Sequence, residues 1–282
     1  MKRKIIILLG ILMVLLFSFT AFAENERNFI QSASVTANSS AATLETKKEV
    51  MLDNYSVFQP LSETEDFEEI KALESEMLAR ANALYTFGKL KEKMTASDID
   101  YNKAVKIYMD STESVFNDSM KNVEKFRSFL DTAEYIWTLQ VSLGNQTVTY
   151  TFNIGRPVRD EIRGLLTSEQ IAEIEREAGH WKIVKVAWGN GKGDDYKNYI
   201  RKGMAQENLS DESSIVVIGG TPEISQPLAI MYEEEKAKVI PTNTTANDRL
   251  KSLMKRDGIQ PQANNLIEIC DLDDYIATLN FN

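Results

Sequence analysis

His180 and Cys270 are the only histidine and the only cysteine among 282 residues. Any chemistry that needs an imidazole base or a thiolate must use one of them. A Ser-His-Asp or Cys-His site requires a base that titrates near neutral pH. His180, however, lies between a glycine fit to end a helix, Gly179, and the strand-like HWKIVKVAW. That is a common structural position. Cys270 sits in the apolar run LIEIC and reads as buried and inert. The chain has no G-x-S-x-G elbow. One histidine and one cysteine fall short of the three or four good ligands that zinc needs. Asp271, Asp273 and Asp274 in DLDDY could offer hard oxygen ligands to calcium, but such a cluster on an acidic chain reads first as a solvated surface. Glycoside hydrolysis needs a pair of carboxylates. With 42 Asp and Glu residues, the sequence does not single one out.

The stretch SSIVVIGGTPEISQPLAIMY tests for nucleotide chemistry. A phosphate-cradling loop needs glycines that open directly into a helix, whose free N–H groups and dipole meet the anion. Here Gly219-Gly220 leads into Thr221-Pro222-Glu223 and then a second apolar run, Pro227 to Tyr232. Neither Gly-Lys-Ser/Thr nor G-x-G-x-x-G spacing is present. The reading is strand, turn, strand. GNGKGDD has loop glycines without a strand-loop-helix frame, and it lacks the alternating acids of an EF-hand. The expectation is no cofactor, no metal and no catalytic residue.

Three tryptophans carry the remaining potential for recognition. Trp137, Trp181 and Trp188 lie in or beside strands. Aromatic side chains on a sheet face either fill a core or, when exposed, bind sugars and peptide chains. The net charge of −10 disfavours nucleic acid and anionic membrane surfaces as partners. The expected partners are a protein, a peptide or an envelope polymer.

Elements must position these groups. Ser62-Glu-Thr-Glu65 has capping-box spacing, and Phe67, Ile70, Leu73, Met77, Ala81 and Leu84 recur on one face of a long helix behind it. Ser97 is placed to cap a second helix bearing Tyr101, Val105 and Tyr108. Val115, Phe116, Met120, Val123, Phe126 and Leu130 mark a third. The period then changes to two. Tyr135, Trp137, Leu139, Val141 and Leu143 alternate, Gly144-Asn145 turns, and Val148, Tyr150, Phe152 and Ile154 return. Thr167-Ser-Glu-Gln170 caps a short helix that Gly179 ends, HWKIVKVAW supplies a third strand, and Asp194 caps DDYKNYIRKGMA. After a polar ENLSDES come two or three further strands, the helix TANDRLKSLMKRDG, and an ambiguous LIEICDLDDYIATLNF.

Over about Ser62 to Trp188, this order of elements resembles the cystatin-like and nuclear-transport-factor-like α+β folds. The resemblance implies N-terminal helices packed on a curved antiparallel sheet; the residues after the polar ENLSDES read as a smaller β-rich C-terminal unit. The expected division is a signal peptide over 1–23, a flexible arm over 24–60, a helix-and-sheet domain over 61–206 and a small α+β unit or extension over 207–282. The first segment joins the basic Lys2-Arg3-Lys4, an apolar run from Ile5 to Phe17 and the small-x-small site Ala21-Phe22-Ala23. Ala21 and Ala23 would be read by signal peptidase, and the membrane would be met only through this segment. A retained N-terminal anchor is the alternative. The functional expectation is an exported, non-enzymatic binding or interaction module. An inhibitor or folding helper of a secreted peptidase, pairing through a strand edge, is one alternative. A carboxylate-based hydrolase is another.

The exported product is expected to begin at Glu24. Intact-mass measurement of protein from culture medium checks this. Membrane-bound product that retains Met1 would identify the apolar run as an anchor.

Overall fold

The computed structural model describes residues 52–109, 121–191, 195–210, 212, 214–219, 226–233, 236–256, 258 and 266–279. Ala21 and Ala23, the signal segment around them, and Val115, Phe116 and Met120 of the third predicted helix lie outside the described residues.

The alternating stretch folds as its pattern dictates. Strand β2 (Glu134–Leu143) and strand β3 (Gln146–Ile154) pair antiparallel, with Leu143 opposite Gln146 across the turn. Gly144 takes a φ of +54° there, which costs glycine little and a residue with a Cβ more. Trp137, Leu139, Val141, Leu143, Val148, Tyr150 and Phe152 are all buried in one cluster. Ile154, at the end of the stripe, is exposed. Strand β4 (Trp181–Asn190) adds antiparallel to β3.

On the other side β2 pairs with β1 (Val105–Met109), and β1 pairs in parallel with β5 (Ile215–Ile218). Strands β6 (Leu228–Glu233), β7 (Lys236–Pro241) and β8 (Cys270–Asp271) continue antiparallel. The result is an open eight-stranded sheet of order β4-β3-β2-β1-β5-β6-β7-β8. The sheet is mixed rather than wholly antiparallel, and it runs unbroken from residues before 206 to residues after it. With eight α-helices among the described residues, the fold is α+β.

Helices cover both faces. On one face α1 (Phe67–Ala72) and α2 (Glu74–Thr86) bury Ile70, Met77 and Ala81 against β2, β3 and β4. On the same face α3 (Val123–Leu130), α7 (Thr244–Arg256) and α8 (Leu272–Leu279) bury Phe126, Leu250, Met254, Tyr275 and Ile276 against the strands from β1 to β8. Between α3 and α7 in sequence come α4 (Asp160–Arg163), α5 (Ser168–Glu177) and α6 (Tyr196–Gln206). Helix α6 crosses the opposite face, where Tyr199, Ile200 and Met204 meet Val105, Ile107, Ile215, Val217 and Ile240. A Cβ on Gly203 would sit 3.2 Å from Ile240 and 3.3 Å from Ile267, so glycine lets α6 lie close to the sheet.

Several elements depart from the sequence reading. Ser62 lies in a single 3-10 turn, Leu61–Glu63, and caps nothing, because fully buried Leu61 draws that turn into the core. The long helix breaks at Leu73 into α1 and α2. The second predicted helix does not form. Thr95, not Ser97, makes a capping box with Asp98, and it closes only the turn Ala96–Asp98. Val105 and Tyr108 belong to β1, a central strand buried on both faces, so its side chains show no period of two and mimic a helical spacing. Helix α6 is capped by Asp195, whose Oδ1 accepts from the Lys197 and Asn198 amides; Asp194 lies outside the described residues. Residues 52–60 of the predicted arm are instead packed on the sheet: Leu52 and Val57 are buried, and the Val57 amide donates to Ile215 O at 2.8 Å. The Thr167 box forms as predicted. Thr167 Oγ1 accepts from the Gln170 amide, and the Gln170 side chain accepts from the Thr167 amide.

One polar tie is costly. Lys197, 6% exposed, donates from Nζ to Asn102 O at 2.8 Å and links α6 to the turn before β1. Burial lowers its pKa to about 8, against the pull of Asp195. The folded state therefore releases this proton near pH 8, whereas the unfolded chain holds it to about 10.4. Between those values the unfolded state binds more protons, so stability rises with pH. Lys197→Met should flatten that rise. Denaturant midpoints of both proteins at about pH 7 and 10 check it, and parallel curves would refute it.

Candidate functional site

Among the described residues, a dense polar cluster is built around Asp66. This residue occupies the N-cap position of α1, yet its carboxylate makes no cap hydrogen bond. It turns inward instead. Trp137 Nε1–H donates to Oδ2 at 2.9 Å, and Trp181 Nε1–H donates to Oδ1 at 3.1 Å. Tyr135 O–H reaches both oxygens at 3.2 and 3.1 Å. One carboxylate, 6% exposed, thus ties the start of α1 to β2 and β4. Charge-assisted bonds of this kind are about twice as strong as neutral ones.

Lys106 stands beside it on β1, opposite Trp137. Its ammonium lies 3.6 Å from the Tyr135 ring centre, 5.4 Å from Tyr108 and 5.9 Å from Trp137. Cations are held over such rings by the negative π-face. Burial lowers the Lys106 pKa, opposed by Asp66 and Glu65. Burial and then Asp66 raise the Tyr135 phenol. Tyr135 packs against both core clusters on this face, so Asp66 and Lys106 mark the seam between them.

A second locus lies at the free edge of the sheet. Among the described residues, strand β4 has a neighbour on one side only. Trp188 is opposite Val148, so its indole points to the face covered by α2. Helix α2 stops at Thr86, and the chain turns through Gly88, with φ +68°. Trp188 is left 46% exposed. It borders a recess of about 390 Å³ with Gly88, Lys89, Lys91, Gln146, Gly189 and Asn190. Buried Gln146 shapes it. Its Oε1 accepts from the Lys91 amide at 2.7 Å, and its Nε2 donates to Lys89 O at 3.0 Å and Asn190 Oδ1 at 3.2 Å.

The residues singled out by type stand apart from both loci or serve the first as scaffold. Trp137 and Trp181 are buried donors to Asp66. His180 has an exposed ring 3.9 Å from Glu69, beyond hydrogen-bond range. Cys270 is buried, and that burial raises its thiol pKa, reinforced by Asp274 and Glu268. Asp271, Asp273 and Asp274 are exposed, and Asp273 pairs with Lys121 at 2.9 Å. Among the described residues, no three His, Cys, Asp or Glu side chains are grouped to hold a metal. Gly219 continues β5, donating to Tyr108 O at 2.7 Å, and the next described element is β6. Lys106, Asp66 and Gln146 were missed. Asp66 directly before an apolar helix reads as a cap, and no sequence signal announces an acceptor for two indoles. The alternation that places Trp188 with Val148 was available.

No protein-family model matches the chain, and neither a curated protein nor a solved structure matches it.

Asp66→Ala would leave two buried indole N–H groups without an acceptor. It is expected to lower stability by about 2–5 kcal/mol. Urea unfolding followed by tryptophan fluorescence measures this. A loss under about 0.5 kcal/mol would show that the cluster is not a structural tie.

Proposed function

We propose that this protein is an exported, non-enzymatic binding module whose ligand lies in the recess beside Trp188. The observation that carries the reading is the exposed indole itself. It continues a buried stripe past the end of α2 and borders a recess whose polar wall, Asn190 and the backbone of Lys89 and Lys91, is braced by Gln146. An indole left half in water loses apolar burial that a ligand can supply. Among the described residues no helix is long and apolar enough to cross a membrane. As part of the same proposal, strands β1 to β4 under α1 and α2 form a cystatin-like or nuclear-transport-factor-like half, with the ligand at its outer strand.

A second reading draws on β4 being a ten-residue edge strand. An extended peptide or a peptidase loop could add to it as a further strand. The edge is partly blunted, because the Trp181 amide already donates to Glu69 Oε2 at 3.3 Å. That leaves the Trp188 end as the more open part.

Ligand titration followed by tryptophan emission tests the first reading. Glycan oligomers and extended peptides should be offered to residues 24–282 and to Trp188→Ala. A ligand that shifts wild-type emission and loses about tenfold or more in affinity in the variant is expected. Binding that Trp188→Ala leaves unchanged would move the site elsewhere.

A further inference from the structure

We infer that the ligand of the Trp188 recess is an acidic glycan, a sugar chain bearing carboxylate or phosphate groups; this rests on the reading of the recess as a binding site. Three features of the recess agree on that class. The first is the platform. A pyranose ring presents a face of C–H groups with partial positive charge, which stacks on the electron-rich face of an indole. Trp188, 46% exposed at the end of an edge strand, offers such a face without any rearrangement of the core.

The second is polarity at the rim. Sugar hydroxyls both donate and accept. Asn190 lines the recess next to the indole, its Oδ1 accepting from Gln146 Nε2 and its amide N–H groups left to meet a hydroxyl oxygen. Gln146 has its carbonyl and amide groups committed to Lys91, Lys89 and Asn190, which fixes the recess rather than filling it.

The third is charge, and it separates an acidic glycan from a neutral one. The protein is acidic, with a net charge of −10. Yet the loop from Phe87 to Met94 carries Lys89, Lys91 and Lys93 against one carboxylate, Glu92. Lys89 and Lys91 line the recess, and of the described lining residues none is acidic. A local cationic rim on an anionic surface attracts an anionic group at short range. A peptide of acidic residues alone would satisfy the lysines but would leave the indole face without a flat apolar partner.

The test uses residues 24–282 and four probes of matched length: an oligogalacturonate, a phosphorylated oligosaccharide, a neutral galactan and an oligoglutamate peptide. Isothermal titration gives each affinity. One or both acidic glycans are expected to bind at least about tenfold more tightly than the galactan and the peptide. The two acidic arms tell carboxylate from phosphate. Trp188→Ala and the double change Lys89→Glu, Lys91→Glu should each weaken that binding about tenfold or more, and added salt should weaken it further. All three positions are exposed, and unchanged melting curves confirm that the variants fold. Equal binding of the galactan, lost in Trp188→Ala, would overturn the acidic class and keep the site. Preference for oligoglutamate, lost in the same variant, would replace the glycan with an acidic protein. Absence of binding by all four would overturn both the ligand class and the site beneath it.

Discussion

The carboxylate of Asp66 accepts from Trp137, Trp181 and Tyr135, and the arrangement of the β1–β4 half follows from that contact. An anion at 6% exposure is tolerable only with its oxygens satisfied. Two indoles and a phenol do so, and because they come from β2 and β4 they pin the start of α1 across three strands. Lys106 balances the charge nearby and is itself held by the rings of Tyr135, Tyr108 and Trp137. Removing the anion would strand the donors and leave the cation in a desolvated site.

That anchor also explains where the fold is open. Helices α1 and α2 are fixed at the Asp66 end, and their length decides how much of the sheet they cover. Phe152, Tyr150 and Val148 fall under them and are fully buried. Trp188, opposite Val148 on the outermost strand, falls past the end of α2. The Gly88 turn then brings Lys89 and Lys91 back over the strand ends, where Gln146 binds their backbone. The recess is thus a by-product of helix length and edge position, supported by a rigid scaffold. Recognition surfaces commonly arise this way, on loops held by a fixed frame.

Much of this was legible in the chain where one face is buried and the other wet. The β2–β3 hairpin, β4 and the Thr167 capping box follow from alternation and turn chemistry, and the strand after Ser213 from a short apolar run ended by glycines. Legibility failed where tertiary contacts override local preference. Val105 to Met109 is buried on both faces, so its alternation vanished and a helical spacing appeared in its place. Ser62 offered a capping box that the burial of Leu61 cancelled. Asp66, a good cap by type, serves two distant indoles, and partners 71 and 115 residues away leave no mark on local sequence. The tryptophans were recognised as a group, but all three face the same side of the sheet, and only the position past the end of α2 separates Trp188 from the two that are core.

Indole N–H hydrogen exchange, resolved by two-dimensional NMR on residues 24–282, tests the central claim most directly. Two indole protons should exchange slowly, those of Trp137 and Trp181 bonded to Asp66, and one fast, that of Trp188. Adding a bound glycan should shift the fast signal and leave the slow pair in place. Three indoles exchanging at one rate, or a ligand that moves the Trp137 and Trp181 signals instead, would contradict it.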